Sequence, residues 1–225
     1  MADTKAPLPR ARLVPLGDQG VLVRFAEQLT DAANRAAIAF ARALDKEPPP
    51  GAVESASNLV SVLVRYDPAA TDYATLAGEL RLRLGSFDPG GNPPSTRHDI
   101  AVDYGGEFGP DLAEICESLG KNARDFVGFH TASPVRVLAT GFAPGFVYLG
   151  LHADDWTVPR RREVREAVPA GSVLFAAAQT AIAATTIRSG WHVIGKTDFG
   201  NFDAARVPPT ILTPGDLVRF RERKP

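Results

Sequence analysis

The sequence predicts a small α+β domain followed by a second domain built as an all-β sandwich or barrel. Three observations carry this expectation. Residues 12–86 alternate strand-like and helix-like apolar spacing. Between residues 85 and 96, glycines and prolines crowd together. Beyond Ser133, short apolar runs alternate with glycine and proline turns and no helical stripe forms. The boundary is expected near residue 92, dividing the chain into domains 1–92 and 93–225.

Each element follows from local pattern. Residues 1–11 hold prolines and basic residues without periodicity, which reads as an arm ahead of the first element. RLVPL and GVLVRFA flank Gly17-Asp18-Gln19-Gly20, the pattern of a β-hairpin. Thr30 and Asp31 supply cap chemistry, and Ala33, Ala37, Phe40, Ala41 and Leu44 then recur at helical spacing until Pro48-Pro49-Pro50. Asn58–Tyr66 is rich in β-branched residues and reads as one strand; Tyr73, Leu76, Ala77, Leu80 and Leu84 form a second helical stripe. The expected order is therefore ββ, α, β, α. After the boundary come a strand, HDIAVDY, and a helix with Leu112, Ile115, Cys116 and Leu119 on one face and Gly120 as its C-cap. A short helix, ARDFVGFHT, follows with Asn122 as cap. VRVLA, SVLFAAA, TAIAATTI, WHVIG and LVRF then read as short strands.

Composition excludes several functions. With 44% hydrophobic and 23% charged residues the chain is neither disordered nor collagen-like. A net charge of -1 gives no general attraction for polyanions, so neither nucleic acid nor an acidic membrane is an expected partner. One cysteine, Cys116, rules out an internal disulfide and fits a reducing compartment. No apolar run reaches the roughly 18 residues of a membrane span, and the opening residues lack a signal-peptide core. A cytoplasmic location is the expectation.

Gly190-Trp191-His192-Val193-Ile194-Gly195-Lys196-Thr197 satisfies G-x-x-x-x-G-K-T. A phosphate loop needs small residues and a helix starting at the lysine. Tryptophan and β-branched residues favour a strand here, so the match is set aside. Asp198-Phe199-Gly200 lacks the companion signature of a kinase. Cys116 lies on an apolar helix face and reads as an inert thiol. His98, His130, His152 and His192 have no ligand-spaced partners, so no metal site is expected. No G-x-S-x-G elbow is present. Pro159–Glu166 carries four arginines with two glutamates. It reads first as a solvated, partly self-paired loop, and in the minority reading as a set of guanidinium forks for carboxylate or phosphate. Gly141–Gly150 places three aromatics among three glycines and a proline. That composition serves a barrel loop, or a ligand wall to which backbone approaches closely.

GFAPGFVYLG, VPRRREVREAVPAGSV, QTAIAATTIRSGWHVIGKT and FDAARVPPTILTPGDLVRF, in this order and spacing, resemble the family of the B subunit of bacterial 5-oxoprolinase. That family also includes the sporulation kinase inhibitor KipI and is related to allophanate hydrolase subunit 1 and the carboxyltransferase region of urea amidolyase. IAVDYGGEFGPDLAEI, FVGFHTAS and GDQGVLVRF are similar to family segments as well. The resemblance implies an α+β N-terminal domain followed by an all-β cyclophilin-like barrel. It implies a heteromer with a homologous barrel protein, the C subunit, and with the A subunit of 5-oxoprolinase, using ATP at the level of the complex to open the lactam of 5-oxoproline to glutamate. This chain alone is then inactive. Two alternatives come with the family: an inhibitor that docks on a sensor histidine kinase, and a partner in urea or allophanate metabolism.

Carried over by position, His130 matches the family histidine and is the candidate acid-base group. Phe142, Pro144 and Phe146 match the aromatic loop that walls the small-molecule substrate. Arg160 and Arg161 match its Pro-Arg-Arg and suit a carboxylate, Gln179 and Thr180 match its Gln-Thr and suit an amide, and Trp191 and Lys196 match the segment ending its Trp-to-Thr strand. The chain departs from the family where Ala177-Ala178 replace glycines before Gln-Thr.

Overall fold

The computed structural model describes residues 11–88 and 95–223, which fall in two separate units. Residues 1–10 of the expected arm and the expected cut near residue 92 lie outside the described residues.

The N-terminal unit contains β1 (Arg12–Pro15), β2 (Gly20–Arg24), α1 (Asp31–Lys46), β3 (Ala52–Asn58), β4 (Ser61–Tyr66) and α2 (Tyr73–Ser86). Its antiparallel sheet has the order β1-β2-β4-β3. Thr30 accepts the Ala33 N–H at 3.2 Å and Asp72 accepts the Thr75 N–H at 2.8 Å, so both helices begin at side-chain caps. Val21, Val23, Val62 and Val64 face Phe40, Leu44, Leu76 and Leu80 in one core. The order is ββαββα, not the expected ββαβα. The expected strand at 58–66 comprises the turn at Leu59-Val60 and β4, the second arm of a hairpin in which Asn58 lies opposite Ser61. The first arm, AVESASN, is an edge strand with almost no buried apolar side chain, so it carries no alternation for the sequence to display.

The second unit contains β5 (Arg97–Tyr104), α3 (Leu112–Leu119), α4 (Ala123–Ala132), β6 (Val135–Thr140), β7 (Val147–Gly150), β8 (Arg165–Val168), β9 (Ser172–Ala176), β10 (Gln179–Ile182), β11 (Ile187–Ser189), β12 (His192–Lys196) and β13 (Leu217–Glu222). Seven of these strands close a barrel in the order β10-β7-β6-β13-β5-β12-β9, and β8 and β11 form a separate ribbon. Within the barrel, β13 and β5 pair in parallel. Asn122 caps α4 through the Asp125 N–H at 2.9 Å, and Gly120 ends α3 in the left-handed region with φ 63°.

Strand alternation divides the barrel wall. Val173, Phe175, Ile182, Leu149 and Ile194 point inward and meet Phe126, Val218 and Phe220. Leu174, Ala176, Ala181 and Val193 point outward and pack with Phe146, Val168, Ile187 and Trp191. The unit is not all-β, because α3 and α4 contribute Ile115, Cys116, Phe126 and Val127 to the inner core. Among the described residues no helix is long and apolar enough to cross a membrane.

Candidate functional site

The outer face of the wall carries a run of aromatic rings. Phe142 meets Phe146 at 5.4 Å between centroids, Phe146 meets Tyr148 at 4.9 Å, and Tyr148 meets Trp191 at 5.9 Å, all edge to face. Arg160 closes the run, its guanidinium 5.8 Å from the Trp191 ring centroid. Burial raises the Tyr148 phenol above its ordinary range, and the charge of Arg160 pulls the other way. The phenol is neutral at physiological pH and remains a donor.

Two devices hold the glycine loop that supplies Phe142 and Phe146. The Gly141 N–H donates to Phe146 O at 3.1 Å, and the Phe146 N–H donates to Ala143 O at 3.0 Å. Buried Asn201 donates to Gly145 O at 2.8 Å while its own oxygen accepts the Leu212 N–H at 2.9 Å. Gly145 sits at φ 69°, and a Cβ there would stand 2.4 Å from Cβ of Phe202, so only glycine fits. Phe142, also at positive φ, is 70% exposed and stands at the rim.

Gln179 belongs to the same outer face. Ala181 lies opposite Tyr148 across β10 and β7, and Gln179 is two residues back along the strand. Its Oε1 is buried and, among the described residues, has no hydrogen-bond partner. An acceptor in that state costs free energy until a donor meets it.

The arginine loop is pinned to the barrel at several points. The Ala177 N–H donates to Val158 O at 2.8 Å, and His192 Nε2 contacts Pro159 O at 3.0 Å. The Arg161 N–H donates to Gly190 O at 2.7 Å. Asp111 is the centre of this attachment. Only 4% exposed, it accepts from Arg161 at 2.9 Å, from Arg165 at 2.7 Å and from the Val193 N–H at 2.7 Å. Two of the loop's arginines thereby share one carboxylate, and Arg161 also reaches Glu114 at 3.5 Å. Among the described residues Arg160 has no carboxylate partner. It borders a cleft of about 330 Å³ that Arg161, Glu114, Ser118 and His192 also line.

The sequence-predicted residues therefore separate. Phe142, Phe146, Arg160, Gln179 and Trp191 share the outer face. Pro144 is exposed in the loop turn beside them. Arg161 is held through one terminal nitrogen by Asp111 and, at 3.5 Å, by Glu114, while its buried Nε has no hydrogen-bond partner among the described residues. Lys196 is exposed at the opposite end of β12, five residues and about 16 Å from Trp191 at strand rise. The G-x-x-x-x-G-K-T segment is strand β12, not an anion nest.

His130 and Thr180 lie inside the barrel. His130 is 1% exposed, stacked on Phe220 at 4.5 Å and on Phe126 at 6.0 Å. Tyr104 Oη meets His130 Nδ1 at 2.6 Å, and Thr180 Oγ1 meets His130 Nε2 at 2.8 Å. Burial, then the neighbouring His152, holds the imidazole well below its ordinary value, so it rests neutral. His130 is thus a core group that touches neither the outer face nor its cleft.

Sequence reasoning missed Asp111, Tyr104, Tyr148 and His152. Asp111 stands at the N-terminus of α3, yet its side chain makes no cap bond and turns to the arginines. Tyr148 was legible as an aromatic in the glycine-rich loop. The pairing of Tyr104 and His152 with His130 joins distant segments and leaves no local signal.

Residues 11–212 match the family model described as carboxyltransferase domain, subdomain C and D. A Bacillus subtilis protein named as the B subunit of 5-oxoprolinase is 31% identical over 94% of this chain and 92% of its own length. An Escherichia coli O157:H7 protein of the same name is 34% identical over 96% and 98%. The crystal structure of TTHA0988 is 33% identical with a TM-score of 0.79, covering 92% of this chain and 40% of that one. K. lactis urea amidolyase, at 17% identity, shares the fold with a TM-score of 0.79 over 99% of this chain and 15% of that chain. On the model matched from residue 11 to residue 212, and on relatives above 30% identity along nearly their whole length, the chain belongs to the carboxyltransferase domain, subdomain C and D family and, within it, to the proteins named as the B subunit of 5-oxoprolinase.

Proposed function

We propose that this chain is the B subunit of an ATP-dependent 5-oxoprolinase, an α+β domain joined to a cyclophilin-like barrel, acting with an A subunit and with a homologous barrel protein as the C subunit. The observation that carries the reading is the pairing, on one outer face, of the guanidinium of Arg160 over Trp191 with the unpartnered oxygen of Gln179. 5-Oxoproline presents a carboxylate, a flat five-membered ring and a lactam N–H. Arg160 suits the carboxylate, the rings of Trp191 and Tyr148 suit the lactam face, and Gln179 Oε1 accepts the N–H. Opening a lactam also requires stabilisation of the negative charge that develops on the carbonyl oxygen, and ATP activates that oxygen by phosphorylation. The residues of β12 do not cradle phosphate, so ATP is assigned to the complex and no step is routed through this chain's G-x-x-x-x-G-K-T segment.

The test is reconstitution. The chain with the A and C subunits, ATP and 5-oxoproline is expected to release glutamate, and the chain alone is not. No glutamate from the complete mixture would end the reading, and turnover of allophanate in its place would reassign the substrate.

A further inference from the structure

The inner side of the wall holds a continuous polar chain that the outer-face chemistry does not use. Tyr104 Oη and His130 Nδ1 are 2.6 Å apart, His130 Nε2 and Thr180 Oγ1 are 2.8 Å apart, and Thr180 Oγ1 and His152 Nε2 are 2.8 Å apart. Phe126, Phe175 and Phe220 enclose it. One end opens on a cleft of about 860 Å³, where Tyr104 stands with Arg124, Asp125 and Glu222. The other end is His152, partly exposed after β7 and anchored by its N–H to Ala178 O at 2.9 Å.

Counting hydrogens restricts this chain to two neutral arrangements. The Thr180 hydroxyl has one proton and lies between two imidazole nitrogens; with that proton donated within the chain, it donates to one nitrogen and accepts from the other. In the first arrangement Tyr104 donates to His130 Nδ1, His130 Nε2–H donates to Thr180, and Thr180 donates to His152 Nε2, leaving the His152 proton on Nδ1. In the second every bond is reversed, with His152 Nε2–H donating to Thr180, Thr180 to His130 Nε2, and His130 Nδ1–H to Tyr104. In both arrangements the two histidines hold opposite tautomers.

We propose that Tyr104, His130, Thr180 and His152 form a proton relay through the barrel, linking the Tyr104 cleft to His152. Conversion of the first arrangement to the second moves one proton across. The Tyr104 proton passes to His130 Nδ1, the Nε2 proton of His130 to Thr180, the Thr180 proton to His152 Nε2, and His152 releases its Nδ1 proton. A proton arriving from the cleft restores the Tyr104 hydroxyl as its own proton leaves, so every O–H and N–H bond broken is matched by one formed. Concerted transfer is required because charge is expensive at every station. Burial raises the Tyr104 phenol far above its ordinary range, with Glu222 adding to the effect, and burial lowers His152 to about 4. No station holds an extra proton or a vacancy at rest. The relay stands whether or not the chain opens a lactam, and it gives His130 a part in proton movement without contact with substrate.

Imidazole nitrogen NMR on the full-length protein labelled with ¹⁵N-histidine tests it. The wild type is expected to show His130 and His152 as opposite neutral tautomers. The His130 N–H is expected to exchange with solvent at least about tenfold faster than the barrel amides around it. Thr180→Val and Tyr104→Phe should each slow that exchange about tenfold, and Thr180→Ser should keep it. A purely structural role predicts the opposite, because loosening the core accelerates exchange by opening. Equal tautomers in the wild type overturn the proposal without any variant. So does exchange that is unchanged or faster in both Thr180→Val and Tyr104→Phe.

Discussion

Gln179 and Thr180 are consecutive residues of β10 and face opposite sides of one barrel wall. Thr180 is fully buried, with its hydroxyl engaged by two histidines. Gln179, on the outside, has an amide oxygen with no donor among the described residues. The inner polar groups satisfy one another and leave no capacity for a ligand; the outer ones are held in place and left with capacity unused. A binding site needs the second condition.

The largest effect that can break this comparison is in packing. Phe126 is fully buried among Phe175, Trp156 and His130, whereas Phe142 stands at the outer rim. Phe126→Ala is expected to lower the unfolding free energy by about 3–5 kcal/mol. Phe142→Ala should change it by less than about 0.5 kcal/mol. Urea unfolding of the two variants measures both. Equal losses would mean that the rim aromatic belongs to the core and is not available to a ligand.

Acid separates the two sides next. His152 is depressed to about 4 by burial, and His130 is lowered in the same direction. In the unfolded chain both titrate near 6.5. Between those values the unfolded state binds more protons than the folded one, so stability is full above about pH 6.5 and falls as pH drops toward 4. His152 alone accounts for roughly 3 kcal/mol over that window. A urea midpoint that stays level from pH 7 to pH 4.5 would show that the inner histidines are charged or solvated in the native state.

The parts legible in the sequence are those written in local order. The caps at Thr30 and Asn122 and the left-handed Gly120 bound helices whose apolar spacing is regular. The strand β3 was hidden because an edge strand buries little. At the site, residue type was legible and side of the wall was not. Arg160 and Arg161 are adjacent and chemically alike, yet Asp111, fifty residues away, claims only one of them. Gln179 and Thr180 differ by one step of strand alternation, which fixes opposite faces but not which is inward. That choice depends on what fills the barrel, here His130 from α4 and His152 from the loop after β7.

The arginine pair converts that lesson into kinetics. Arg160→Ala in the reconstituted complex is expected to raise KM for 5-oxoproline about tenfold to a hundredfold while leaving the melting temperature unchanged. Arg161→Ala should instead lower the melting temperature, since buried Asp111 loses one of its two guanidinium partners. If Arg161→Ala raises KM with an unaltered melting temperature, the assignment of the two arginines is reversed.

The smallest effect concerns the turn that sets β10 in register. Ala176 pairs with Gln179, so Ala177 and Ala178 are the two central residues of a hairpin turn, at φ 51° and 56°. A two-residue hairpin of this kind requires positive φ at both positions, where a Cβ meets carbonyl oxygen at a cost of about 1–2 kcal/mol per residue. Glycine removes that cost and adds backbone entropy to the unfolded chain, which returns roughly half of the gain. Ala177 is exposed and loses no packing on truncation, whereas Ala178 is buried. Ala177→Gly is therefore expected to stabilise by about 0.5–1 kcal/mol, and Ala178→Gly by less. Ala183→Gly, at a buried position of negative φ, should destabilise by about 1 kcal/mol and serves as the control. Destabilisation by Ala177→Gly would mean that the turn is not left-handed in solution. The register that puts Gln179 outside and Thr180 inside would then lose its anchor.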